Sequence, residues 1–343
     1  MLSSTKRLWA FIMQLLCLSF LLISCSEYVD SPFPNITPLS IPTPAGLERA
    51  SATAFVANGK AYLLFGRQEA KSSAALNDCW QFDPNDASWT RKANFPGRGR
   101  VSAIAEVVDG KGYVGLGYNS GVHIYSSDTV TFSDFWMYDP LTDDWQQKAD
   151  FPEKAPNKAA PVAACSSFAY KQWIYVLGLS VDNYVFNEVW RYDTKLDTWE
   201  KLANKYPGKI RSAGTSCSDG NRFFFGLGYD RESSSEWWEY FPETDSWKKR
   251  KSIPENGRLN ASAFAFNNRY FVTTGRRFGG TLTDGKLFDD LLEYDAAKDV
   301  WYKRGTLNGA RENAIAFVLS NKAYIGFGEN EQKRFNDLYC FEP

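Results

Sequence analysis

Residues 258–275 read RLNASAFAFNNRYFVTTG: two apolar runs joined by Asn267-Asn268, opened by Arg258 and closed by Gly275. The same Arg-to-Gly spacing of 17 returns at Arg49–Gly66, Arg100–Gly117, Arg211–Gly228 and Arg311–Gly328. A sixth copy ends at Gly178, with Pro161 standing in the arginine's place. Self-similarity at a period of about fifty residues points to a propeller, in which each unit buries its faces only against its neighbours.

Each closing glycine is followed by a loop and then by a third strand with a shared signature. The copies are Asn77-DCWQFDP, Ser133-DFWMYDP, Asn187-EVWRYDT, Ser235-EWWEYFP, Asp289-DLLEYDA and Asn336-DLYCFEP. Their side chains alternate with the period of two that marks a strand, and Asp-Pro then turns the chain. A fourth strand opens with Trp89, Trp145, Trp199, Trp247 and Trp301. Their regular recurrence marks them as packing between blades, worth roughly 2–3 kcal/mol each when buried, and not as sugar-stacking platforms. The expected fold is therefore all-β: six blades of four antiparallel strands.

The sixth copy stops at Pro343, before its fourth strand is due. Residues 35–42, NITPLSIP, align with WKKRKSIP at 247–254 and lead into Arg49 as the latter lead into Arg258. The N-terminal segment is thus expected to complete the last blade, with Pro38 suiting an outer edge.

Composition narrows the function classes. A 44% apolar and 16% aromatic chain of 343 residues can bury a large core. Lys6 and Arg7 set aside, 37 basic residues face 40 acidic ones, a balance that gives no sign of nucleic acid. One histidine, His123, argues against a multi-histidine metal centre and against Ser-His-Asp chemistry; it reads as a polar loop residue. There is no phosphate loop, calcium loop or zinc spacing, and no cofactor is expected. Cys79, Cys165, Cys217 and Cys340 fall in strand interiors of different repeats and read as buried free thiols.

Residues 1–24 read as a secretory signal, with Lys6 and Arg7 before the apolar stretch Leu8–Ile23. Its end, Leu22-Ile23-Ser24-Cys25, resembles the lipobox of bacterial lipoproteins. The resemblance implies that Cys25 is lipidated and anchors the chain to a bacterial envelope membrane. Residues 25–34 then read as the lipidated cysteine and a polar tether, and residues 35–343 as one monomeric propeller.

The repeat as a set resembles the kelch family over residues 33–343. Kelch second strands usually end Gly-Gly. Here the second glycine is replaced by Arg67, Tyr118, Leu179, Tyr229, Arg276 and Glu329. The antiparallel path puts these residues, the opening arginines and the longer loops on one face of the ring. The other face carries short hairpin turns at Asn58-Gly59, Asp109-Gly110, Asp219-Gly220, Asn267-Asn268 and Asn321-Lys322. Function concentrates on long loops held by a rigid scaffold, so the loop face is the candidate site.

Two readings of its arginines stand side by side. Arg49, Arg100, Arg211, Arg258 and Arg311 either join Arg67 and Arg276 in an anion-preferring pocket or pair with carboxylates of the neighbouring blade. Tyr118 and Tyr229 would stack on a sugar or hold a peptide. The leading expectation is a binding module for a glycan, peptide or envelope protein. The alternative is a sugar epimerase or mutarotase: the kelch-like N-acetylneuraminate epimerases share this architecture and act on an anionic sugar. Glu329 and Arg67, brought together where blade six meets blade one, would be its acid/base and its anchor for the sugar carboxylate. A structural scaffold in an envelope complex is the third. The copper site of the kelch-bearing galactose oxidases needs two histidines, which this chain does not have.

Overall fold

The structure, a computed structural model, describes residues 28–29, 31, 35–68, 75–119, 130–152, 165–181, 184–209, 211–254, 257–278, 280 and 285–342. Cys25, His123 and Pro161 lie outside the described residues.

Apolar alternation makes the strands and left-handed turn residues reverse them. Blade one is Thr53–Ala57, Lys60–Leu64, Cys79–Asp83 and Ser88–Lys92, paired antiparallel in that order. Blades two, three and four repeat the pattern from Ile104–Val108, Ser166–Tyr170 and Thr215–Ser218. Blade five runs Ser262–Phe266, Arg269–Thr273, Gly285–Asp295 and Val300–Arg311, with Arg276–Phe278 added against the start of its long third strand. In blade six, Ile315–Leu319, Lys322–Gly326 and Leu338–Phe341 are completed by Leu39–Ile41, which pairs Leu39 with Cys340 and Ile41 with Leu338. The N-terminal strand therefore closes the ring, and the six innermost strands neighbour one another in a closed cycle.

Asn58 and Gly59, Asp109 and Gly110, and Asn267 and Asn268 all have positive φ, as primed hairpin turns require. Two turns differ from expectation. In blade six the left-handed pair is Ser320-Asn321, one residue earlier than the Asn-Lys reading. In blade four Ser218 pairs with Phe223, so Asp219–Arg222 is a four-residue loop, held by Asp219 accepting the N–H groups of Asn221 and Arg222.

The blades bury aromatic clusters between them, and the fourth-strand tryptophans are part of that packing. The indole N–H groups of Trp145, Trp199 and Trp301 donate to the carbonyls of Ala93, Ala149 and Lys251 in the preceding blade, at 3.0, 2.8 and 2.8 Å. The four described cysteines are free.

The opening arginines explain the repeat spacing. Arg49 donates to the carbonyl of Phe65, and Arg100, Arg211, Arg258 and Arg311 donate to Leu116, Leu227, Thr274 and Phe327, each 16 residues on and at 2.9–3.0 Å. All five acceptors are left-handed residues preceding the closing glycine. Such a conformation costs a non-glycine residue about 1–2 kcal/mol, which a charge-assisted hydrogen bond offsets. The glycine itself is required because the chain turns back on the first strand: a Cβ on Gly66 would meet the Ala50 carbonyl oxygen at 2.9 Å. Blade three, with Pro161 in the arginine's place, has no left-handed residue before Gly178; its second strand runs straight to Leu177.

Candidate functional site

The five opening arginines are not a ligand-binding rim. All are buried to 1% exposure or less, and each is held by a carboxylate. Arg49, Arg100 and Arg258 grip Asp78, Asp134 and Asp290 bidentately at 2.6–3.0 Å. Arg311 pairs with Asp337 and Arg211 with Glu236. The carboxylates come from the arginine's own blade, immediately before the stretch of the third strand that pairs with the second, and not from the neighbour as the pairing alternative supposed. The link to the neighbour runs through backbone: the N–H groups of Gly66, Gly228, Gly275 and Gly328 donate to the carbonyls of Arg100, Arg258, Arg311 and Arg49.

The residues in the second-glycine position do come together. Arg67, Tyr118, Tyr229, Arg276 and Glu329 each form an antiparallel bridge with the residue following the opening arginine: Ala50, Val101, Ser212, Leu259 and Glu312. One step further in, Ser51, Ser102, Ala213, Asn260 and Asn313 adopt positive φ and pass backbone hydrogen bonds from blade to blade. Ser102 donates to Ser51, Ser51 to Asn313, Asn313 to Asn260 and Asn260 to Ala213, at 3.0–3.1 Å. These residues line an axial cavity of about 120 Å³ with Cys165 beside them. The five large polar residues therefore stand around the mouth of the axial channel, and Leu179, their counterpart in blade three, is buried.

Charge is concentrated on one side of this mouth. Glu312 accepts from Arg276 Nε at one oxygen and from Asn260 Nδ2 at the other, both at 2.8 Å. Arg276 reaches Glu331 with a second nitrogen at 2.8 Å. Glu329 accepts from Asn313 Nδ2 at 2.9 Å and from Arg334 at 2.5 Å. Burial raises the pKa of Glu329. Arg334, Asn313 and Arg67 pull it back, Glu312 adds to the rise, and the balance stays above the ordinary glutamate value. The expected proximity of Arg67 and Glu329 is thus present as a favourable charge interaction. Arg67, Arg276 and Arg334 are matched against Glu312, Glu329 and Glu331, so the mouth is a charge-balanced array of donors and acceptors and not a cationic ring.

Glu312, Asn260, Asn313 and Arg334 were not among the expected site residues. Asn260 and Asn313 carried a signal, because asparagine is enriched at left-handed positions. Glu312 did too, standing where its siblings are Ala50, Val101, Ser212 and Leu259. Arg334 lies in a loop of no fixed spacing and carried none. Farther out, Tyr229 meets Phe278 edge-on at 4.9 Å, beside a cleft of about 650 Å³ between the loops of blades four and five. Arg277 and Asp230 line that cleft from its solvent side. Among the described residues, no group of three His, Cys, Asp or Glu is placed to hold a metal ion.

The family described as the KLHDC2/KLHL20/DRC7 Kelch-repeats domain matches residues 35–224, more than half of the chain. The chain belongs to the kelch-repeat family. Its kelch repeats are 29% identical over 180 residues to an F-box/kelch-repeat protein of Arabidopsis thaliana, covering 50% of this chain and 46% of the relative. They are 28% identical over 140 residues to the N-acetylneuraminate epimerase of Vibrio cholerae, covering 39% and 32%. The chain thus spans less than half the length of either curated relative. The solved structure of YjhT superposes with a TM-score of 0.69 at 17% identity over 88% of this kelch chain and 96% of its own, a likeness of fold.

Proposed function

We propose that this kelch propeller is a binding module for a polyhydroxylated ligand of the sugar class, taken at the loop-face mouth and carried on a bacterial envelope membrane by a lipid on Cys25. One observation supports the ligand reading above others: residues that are glycine in the kelch pattern are here Glu329, Arg276 and Arg67. Glu329 and Arg276 are hydrogen-bonded into an array with Glu312, Asn260 and Asn313, while Arg67 adds its charge near Glu329. A glycine replaced for packing alone would not need two carboxylates and two amides at one level of a channel. Carboxylate, amide and guanidinium groups match the donor and acceptor pairs of sugar hydroxyls, and Tyr118 and Tyr229 add rings at the same level.

The test is thermal shift of the full-length protein in detergent against a panel of neutral and acidic sugars. A ligand that binds only the folded state adds about 2.7 kcal/mol at a hundredfold excess over its Kd. Glu329→Gln and Arg276→Ala should abolish the shift while leaving the unliganded transition cooperative. If no sugar moves the transition, the small-ligand reading falls, and a protein partner becomes the object of search.

A second reading is a sugar epimerase or mutarotase. The burial that raises the pKa of Glu329 above the ordinary glutamate value favours it, since it moves the carboxyl toward the range in which it can act as an acid or a base. The distant similarity to N-acetylneuraminate epimerases supports the same class. Interconversion of N-acetylneuraminate forms, followed by proton NMR with Glu329→Gln as the control, decides between binding and turnover.

A further inference from the structure

The chain upstream of the closing strand is fastened to the propeller at defined points. Tyr28 packs into the cluster between blades four and five that holds Ala296 and Trp301. The N–H of Val29 donates to the Trp301 carbonyl at 3.2 Å, and Val29 forms a parallel bridge with Tyr302. The N–H of Ile36 donates to the Arg304 carbonyl at 2.6 Å, with a parallel bridge to Gly305. Gly305 makes room for this crossing: a Cβ there would lie 2.6 Å from the Ile36 carbonyl oxygen. Within the segment expected to be a polar tether, Tyr28 and Val29 are therefore docked on blade five.

The docking has a direction. Val300–Arg311 begins beside the turn at 296–299, on the hairpin face, and ends at Arg311, on the loop face. The upstream segment runs parallel to it, so residues 28 and 29 sit near the hairpin face. From Tyr302 to Arg311 is up to about 30 Å of strand. From Cys25 to Tyr28 the chain spans at most about 11 Å.

We propose that a lipid on Cys25 holds the hairpin-side rim of blade five against the bilayer, so that the loop-face mouth opens away from the membrane. The proposal rests on the anchoring reading given above. The orientation comes from the short reach between Cys25 and the docked Tyr28 and not from attraction to anionic lipid. Three cations of this rim are matched by acids: Lys298 with Asp295 at 3.1 Å, Arg269 with Glu293 at 2.9 Å and Lys322 with Glu342 at 3.8 Å. The consequence is that the mouth receives a ligand or partner from the aqueous compartment, with no lipid surface in its way.

The test uses the full-length lipoprotein in phosphatidylcholine vesicles containing nitroxide-headgroup lipid. In a Cys165→Ser background, one fluorophore is placed at Ala297→Cys, in the blade-five hairpin-side turn, or at Gln332→Cys, on the loop face. Emission from the Ala297 position should fall several-fold and that from Gln332 should not change, equally at low and high salt. A Gly/Ser insert of about twenty residues after Cys25, with an r.m.s. reach of about 25 Å, should remove the difference. Palmitate incorporation, lost in Cys25→Ala, reads the anchor separately. Absence of lipid from the wild-type chain overturns the proposal at its premise. A lipidated chain with equal quenching at both sites, or stronger quenching at Gln332, overturns the orientation while leaving the anchor standing. Sugar binding measured in detergent is independent of either result.

Discussion

Asp143 of blade two accepts the backbone N–H of Ala93 of blade one at 3.0 Å. The same carboxylate takes the hydroxyl of Tyr138 at 2.5 Å. Asp197, Asp245 and Asp299 do likewise, each with the tyrosine five residues before it and a backbone N–H of the preceding blade. All four aspartates have positive φ. This contact ties blade to blade near the outer wall, and it is missing at the seam where the ring closes.

At that seam the corresponding residue is Ala87, also left-handed with φ 57. The partner side explains the change. Asn77 Nδ2 donates to the Phe95 carbonyl, and Asn336 Nδ2 to the Pro44 carbonyl, so Pro44 corresponds to Phe95 and Pro42 to Ala93. The closing strand thus sits three residues off the expected alignment of 35–42 with 247–254, with Ile41 and not Pro38 in the register of Arg250 just before this position. Pro42 has no N–H to offer, and an aspartate at 87 would face no donor. Trp89 Nε1 also has no hydrogen-bond partner among the described residues. Ala87→Asp alone should gain only a few tenths of a kcal/mol from its better tolerance of the left-handed region. Combined with Pro42→Ala it should gain about 1 kcal/mol beyond the sum of the two single changes. Urea unfolding of the four proteins measures this, and additivity within about 0.5 kcal/mol would show that the seam contact does not form.

The buried arginine pairs make a sharper stability prediction. Asp290→Ala leaves Arg258, 0% exposed, without its carboxylate, and removal of one partner from a buried pair costs about 3–5 kcal/mol. Blade three supplies the control. There the acid in the same place, Glu188, has no opening arginine and pairs instead with the half-exposed Lys205 at 3.0 Å. Such a pair is worth about 0–1 kcal/mol, so Glu188→Ala should barely move the urea midpoint. Equal losses in the two variants would mean that the arginine pairs are not what fixes the repeat.

These pairs show what the sequence displays and what it hides. The Arg-to-Gly spacing is visible because it spans a strand, a tight turn and a strand of constant length. The arginine's partner is not visible in the same way. Its separation is 29, 34, 25, 32 and 26 residues in the five blades, because the loop after each glycine varies. The acid stands in every third-strand signature, yet no fixed spacing connects it to the arginine, and the arginines could as well have belonged to a ligand site. The second-glycine residues were legible as a set because the repeat itself places them. Glu312 stands in the same frame, one residue after its arginine, but at a position where the kelch pattern has no glycine to lose, and Arg334 reaches the mouth from a loop outside the frame.

Glu106 occupies in blade two the inner-strand place held elsewhere by Phe55, Phe264 and Phe317. Its surroundings are mostly protein, although it keeps some contact with solvent. It accepts Ser167 Oγ at 2.7 Å and the backbone N–H of Ala169, but burial dominates and pushes its pKa up to about 7. In the unfolded chain this carboxyl loses its proton near the ordinary glutamate value, whereas in the folded chain it keeps it. Stability should therefore fall as pH rises from about 4.5 to 7 and level off above, by roughly 3 kcal/mol at most. Glu106→Gln should flatten that fall and leave a protein more stable than wild type at pH 8, but not at pH 4. A wild-type stability that rises across this window, with no change of slope in the variant, would contradict the assignment.

Arg334 and Glu329 provide the last prediction, because they separate a functional carboxyl from a merely buried one. Burial raises the pKa of Glu329, and Arg334 is the strongest influence drawing it back. In Arg334→Ala the carboxyl should titrate at higher pH than in wild type, and in Arg334→Lys between the two. Side-chain carboxyl carbon shifts, assigned with Glu329→Gln, follow this directly. If the mouth binds a sugar through the carboxylate, the acid limb of the binding profile should move to higher pH by the same amount, with affinity recovering once the carboxyl ionises. If Glu329 acts as an acid, the pH at which turnover is lost should move up with it. A carboxyl midpoint that moves while binding and turnover do not would place the ligand elsewhere on the loop face, with the cleft between blades four and five the next to test.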